Sequence, residues 1–213
     1  MEEYQSFSHQ DLEEFHKAVG DDSQYGEEER MLERIMKKYP ENNDLDLIAL
    51  KVSVVDLTNS TQLKNFKSKI SLYDISKIIL DLHIDDDLHL GKPEVVQKLA
   101  KAFKDFKKDE MSNGVNLFSF ATKYCAYHNM YAYGRDDFSI FDNVVSDHLY
   151  LYSTDKNPLK KRTPEIWRQN CNYEAYNQYI GDLLDEKGIT KDKCPRRRRM
   201  FDHFVWYKNR TSK

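Results

Sequence analysis

Apolar residues recur along this chain at intervals of three and four and nowhere sustain a two-residue alternation, so a core can form only from packed helices. Leu72, Ile75, Ile78, Ile79 and Leu82 fall on one helical face. Ser71 precedes them as an N-cap, with Asp74 placed to act as its acidic partner. Leu45, Leu47, Ile48, Leu50, Val52, Val54, Val55 and Leu57 are apolar on most faces. That pattern predicts a buried central helix, capped by Asn43 or Asp44 and broken at Thr58-Asn59-Ser60-Thr61.

The same spacing predicts helices over 9–19, 27–39, 94–108, 117–128, 140–152, 172–187 and 196–209. Tyr39-Pro40 closes the second, and Asn113-Gly114 and Gly134-Arg135-Asp136-Asp137 read as turns. The segment 83–93, HIDDDLHLGKP, reads as a solvated acidic loop, and 153–164 as a polar basic connection. Seven Gly and five Pro are too few for an all-β protein built on tight turns. The expected fold class is all-α, with about eight to ten helices in one multi-helix domain.

Composition narrows the setting. Aromatic residues at 13% lift the chain above the disorder signature despite 32% charged residues. No apolar run approaches the ~18 residues of a membrane span. The start, MEEYQSFSHQ, is too acidic and polar for a secretory or transit segment. Cys125, Cys171 and Cys194 are odd in number and widely spaced, which makes no disulfide framework. A soluble cytoplasmic protein with no membrane partner is expected.

Charge is unevenly spread. Residues 1–47 carry 14 Asp and Glu against 5 Lys and Arg; residues 156–213 carry 15 Lys and Arg against 7 Asp and Glu. The basic end can steer a polyanion, or the acidic N-terminus and basic C-terminus can pair with each other. An acidic helical extension over 1–42 and a main domain over 43–213 are expected on this ground.

Few motifs carry chemistry. Cys125 and His128 stand as C-x-x-H without a second pair, and His83, Asp85, Asp86, Asp87 and His89 lack the glycine and distal glutamate of a calcium loop. No metal and no cofactor is expected. Glycine-rich nucleotide loops and the G-x-S-x-G elbow are missing. The informative stretch is 114–145, GVNLFSFATKYCAYHNMYAYGRDDFSIFDNVV. It puts Lys123 on one helix and Asp142 at the start of the next, a pairing that can serve as nucleophile and supporting carboxylate. A surface lysine and a helix N-cap would give the same spacing without catalysis.

This stretch resembles the active-site half of the helix-hairpin-helix DNA glycosylase superfamily, which includes 8-oxoguanine DNA glycosylases. Ser119-Phe120-Ala121-Thr122-Lys123-Tyr124-Cys125 falls on the end of the family's hairpin, and Ile140-Phe141-Asp142 on its aspartate step, 19 residues after the lysine. More closely, it is similar to a group of uncharacterised prokaryotic proteins with a Ser-x-x-[Ser/Thr]-Lys-Tyr-x-x-x-His-Asn segment, an Ile-x-Asp step and a C-terminal Trp-Tyr. Lys51–Leu63 and Phe204-Val205-Trp206-Tyr207 also match that pattern, so the resemblance runs over roughly 43–208. Ser119 and Ala121 stand where the family has hairpin glycines, which weakens phosphate capture by backbone amides. Nothing suggests the iron–sulfur cluster of some relatives.

The resemblance implies a DNA-binding protein with lysine-dependent glycosylase/lyase chemistry. A flipped nucleotide would enter between the helices, Lys123 would attack the anomeric carbon, and Asp142 would support it. His128 and Asn129 would line the pocket. Cys194-Pro195-Arg196-Arg197-Arg198-Arg199 places four arginines at the start of the last helix, against its dipole. They call for an anion, either DNA phosphate or the acidic N-terminal segment; a nuclear-import signal is a third reading of the run. The competing class is a non-catalytic nucleic-acid or protein interaction module that keeps the fold and has lost the chemistry.

Overall fold

The computed structural model describes residues 4–21, 23–59, 61–106 and 114–210. Those residues form eleven α-helices and no strand. In chain order they are α1 (His9–Asp21), α2 (Ser23–Lys38), α3 (Leu45–Asn59), α4 (Leu72–Asp81), α5 (Asp85–Leu90), α6 (Glu94–Asp105), α7 (Phe118–Tyr133), α8 (Asn143–His148), α9 (Thr163–Asn170), α10 (Tyr173–Glu186) and α11 (Arg197–Arg210). Short 3₁₀ turns follow α3, at Leu63–Phe66, and α8, at Leu149–Tyr152. Ser60, Asn113 and residues 107–108, which the sequence assigns to a helix break, a turn and a helix end, lie outside the described residues.

The central helix is α7, with thirteen of its sixteen residues buried. It has α2, α3, α5 and α6 packed around it. The apolar run of α3, expected at the centre, is one-sided: Ile48, Val52 and Val55 are buried while Leu50 and Leu57 face out. Asp44 caps α3 by accepting the Leu47 N–H at 2.9 Å. Ser71 and Asp74 form the expected capping box of α4.

Two helices correct the sequence reading. The acidic loop at 83–93 holds α5, whose first turn is Asp85, Asp86 and Asp87. Carboxylates there face the positive end of the helix dipole, so a run that reads as solvated is a favourable helix start. Asp85 is also held by Asn42, through N at 2.7 Å and Nδ2 at 2.5 Å. The connection at 153–164 runs into α9, with Pro164 in its first turn.

The acidic first forty residues pack into the rest of the chain. Phe7, Leu12, Leu32 and Met36 belong to one apolar cluster with Val52, Phe103, Tyr124 and Phe204. Helix α1 lies against α11 and α2 against α7, so contacts cross the expected boundary at 42/43 throughout. No helix among the described residues is long and apolar enough to cross a membrane.

Candidate active site

Lys123 lies on α7 one turn after Ser119, and is only 8% exposed. Its Nζ donates to the Asn59 carbonyl at 3.0 Å and stands 3.9 Å from Asp142 Oδ2. Asp142 is the N-cap of α8, accepting the Val145 N–H on Oδ1 at 2.9 Å. The residue beside the lysine sets this separation. Thr122 Oγ1 accepts the Phe141 N–H at 3.0 Å and lies 3.2 Å from the Phe141 carbonyl, clamping the segment before Asp142 onto α7. From the other side, Tyr176 on α10 donates its hydroxyl to the Ile140 carbonyl at 2.5 Å.

The pair stands where two clefts meet. One, of about 330 Å³, is bounded by Tyr25 and Glu28 of α2, Leu57 and Thr58 of α3, Tyr127 of α7 and Asp202 of α11. The other, of about 360 Å³, mixes amide and basic side chains, Gln62, Asn65, Asn116, Asn143 and Arg168, with the apolar Phe66, Leu117, Phe120 and Val144. Asn59, Lys123, Asp142 and Trp206 line both.

Asp202 is a wall residue that the sequence reading missed. It is buried, and Arg199 Nη1 donates to its Oδ2. Arg199 also reaches Glu29 Oε1 at 3.0 Å and Tyr25 Oη at 3.2 Å, and lies over the Tyr127 ring. One guanidinium thus serves two carboxylates. Burial pushes the Asp202 carboxyl up to about 7, against the pull of Arg199. At Glu29 burial acts the same way but is outweighed by Arg199 and by the Tyr131 hydroxyl, so that carboxyl ends below its ordinary value. Two acids around one cation are driven apart in this way when the site is dry. The i, i+3 spacing of Arg199 and Asp202 was the available signal.

The other expected site residues sit elsewhere. His128 is fully buried and donates from Nε2 to the Pro40 carbonyl at 2.7 Å. Burial, with the Lys51 ammonium nearby, pushes it down to about 3, so it is a neutral joint between α7 and the loop before α3. Asn129 donates to the Leu88 carbonyl at 2.8 Å and accepts the Asp137 N–H at 3.1 Å, which fastens the turn after α7. Neither lines the clefts. Five and six residues after Lys123, they lie on other faces of α7 than the lysine, and those faces meet the core.

The arginine run is mostly spent inside the protein. Arg197 bonds Asp185 and the Ile189 carbonyl. Arg198 donates to Ser139 Oγ at 2.6 Å and the Asn177 carbonyl at 2.9 Å, in space left by Gly181. Arg199 is the buried partner of Glu29 and Asp202, and Arg196 is exposed. Asp136 supplies the anion that offsets the helix dipole, accepting the Arg198 N–H at 2.7 Å. The three cysteines are buried and free, and no cluster of three metal-ligating side chains occurs among the described residues.

Among the described residues, fold and site define an all-helical protein with a lysine–carboxylate pair at the junction of two clefts. Residues 8–132 match the model of the HI_0787_N family, described as an N-terminal domain, and the chain belongs to that family. The match takes in Asn59 and Lys123 and ends before Asp142 and Asp202. No curated protein and no solved structure matches the chain.

Proposed function

We propose that this chain is a cytoplasmic DNA-binding protein of helix-hairpin-helix glycosylase-like fold, with base-excision chemistry of the glycosylase/lyase kind. Lys123 is the nucleophile and Asp142 its carboxylate partner. The observation that carries the reading is the 3.9 Å approach of Lys123 Nζ to Asp142 Oδ2 at the junction of two clefts. A lysine nearly closed off from solvent, facing a carboxylate fixed by its own helix cap, is suited to attack an electrophilic sugar carbon. Asp142 then faces the positive charge that develops there. Tyr25 and Trp206, packed against each other at 5.2 Å, form an aromatic wall of the first cleft beside which an extruded base would lie. Phosphate contact falls to Arg196, to Arg168 at the second cleft and to Lys64 beside it.

Borohydride trapping on duplexes with an abasic site or a damaged base tests this directly. The intact chain should form a covalent adduct, and Lys123→Ala should form none while still binding DNA. Absence of trapping by the intact chain on every such duplex sinks the proposal. The second reading, a non-catalytic interaction module, is favoured by one observation: Arg197, Arg198 and Arg199 are all engaged within the protein. Under it, DNA binding at low salt stays at background.

A further inference from the structure

The lysine reading leaves a proton to be moved. An amine attacks only after it has shed its proton, and a departing base leaves well only when it gains one. Asp142 gives Oδ1 to the Val145 N–H and sets Oδ2 3.9 Å from Lys123 Nζ, so its charge is already assigned to the positive centre beside it. Asp202 is different. It lines the same cleft as Lys123 and Asp142 and gives Oδ2 to Arg199, while its Oδ1 makes no hydrogen bond among the described residues.

We propose, resting on the base-excision reading above, that Asp202 is the proton carrier of the site: its carboxylate receives the proton of the Lys123 ammonium and returns it to the base that leaves. The transfer runs through water of the cleft. The freed amine forms a bond from Nζ to the anomeric carbon as the glycosidic bond breaks, and that bond's electron pair goes to the base nitrogen. The Asp202 carboxyl protonates that nitrogen and is a carboxylate again. The lysine ends as a secondary ammonium, so one proton has moved from Nζ to the base and no other reactant is consumed.

The surroundings suit this use. Arg199 on the same helix and Lys123 on α7 favour the charged form of Asp202, while burial, Asp142 before α8 and Glu29 on α2 oppose it. The Tyr25, Tyr127 and Tyr176 hydroxyls, from α2, α7 and α10, also lie in its field. Of the two acids that share Arg199, Glu29 has a second donor in Tyr131 at 2.5 Å. Asp202 is therefore the one that takes and gives up a proton near neutral pH.

Two measurements test the assignment. The first compares intact chain and Asp202→Asn on two duplexes, one with a damaged base and one with a preformed abasic site. Base excision should fall about 100-fold or more, in the range of lost acid–base catalysis, and should lose its pH dependence around neutrality. Trapping at the preformed abasic site should fall less than base excision, because no base departs there and only one of the two proton transfers is lost. The second follows the Asp202 carboxyl carbon by NMR in the intact chain and in Lys123→Met, where removal of the ammonium should raise its titration. Excision by Asp202→Asn at the wild-type rate with an unchanged profile overturns Asp202 alone, as does a carboxyl that titrates in the ordinary aspartate range or ignores Lys123→Met. No trapping by the intact chain on either duplex overturns the base-excision reading, and the role of Asp202 with it.

Discussion

Glu29 and Arg199, 170 residues apart, meet at 3.0 Å and join the acidic start of the chain to its basic end. The contact is buried on the arginine side and is shared with Asp202. A guanidinium so enclosed is a structural charge, whereas Arg196, three residues earlier, is exposed.

The two arginines should therefore separate cleanly. Arg199→Gln strands the buried Asp202 and the half-buried Glu29 and should cost about 3 kcal/mol in denaturant unfolding. Arg196→Gln should stay within about 0.5 kcal/mol of the intact chain. If Arg196 touches phosphate, its loss should lower the slope of log affinity against log salt by about 0.9. A stable Arg199→Gln chain with a reduced salt slope would mean that the buried pairing is not what the arginine does.

How much of this could be read from the residues depends on which forces are local. The α4 capping box, the Asp44 cap and the Asp142 cap involve partners three residues apart, and all were visible as patterns. Helix α5 was missed because three consecutive aspartates look like a loop until their place at a helix N-terminus is known. The site divides the same way. Periodicity put Lys123 and Asp142 on successive helices and the resemblance singled them out; their approach comes from Thr122 clamping the segment before Asp142 onto α7. Asp202 was not legible, because its place in the cleft wall depends on residues of α2, α3 and α7 that are distant in sequence. His128 and Asn129 came with the resemblance; five and six residues after Lys123, they turn away from the lysine's face of α7 and bond Pro40 and Leu88 in the core.

His128 gives the pH prediction. Its imidazole is held down to about 3 by burial and by Lys51, whereas in the unfolded chain it titrates near its ordinary 6.5. Between those values the unfolded chain binds the extra proton. The contribution of neutral His128 is thus complete above about 6.5 and is lost as pH falls toward 3. Asp136 and Asp202, raised to about 6 and about 7, act with the opposite sign, losing their contribution as pH rises from the carboxylate range through those values. The useful quantity is therefore a difference. Urea unfolding of the intact chain and of His128→Asn should show the intact chain losing stability faster from pH 6.5 downward. Parallel curves would place the acid sensitivity elsewhere.

Asp142 decides between catalysis and simple capping. As an N-cap it accepts the Val145 N–H, and asparagine caps a helix about as well as aspartate. Asp142→Asn should therefore unfold within about 0.5 kcal/mol of the intact chain, while Asp142→Ala should lose about 1 kcal/mol along with the cap. Activity should not follow stability. The amide cannot supply the negative charge that faces Lys123 at 3.9 Å, so both variants should lose most of the borohydride-trapped adduct. A cap without catalysis predicts the reverse: Asp142→Asn would behave like the intact chain in every assay. Trapping by Asp142→Asn at the wild-type rate, with its stability intact, would leave the carboxylate with no role beyond the start of α8.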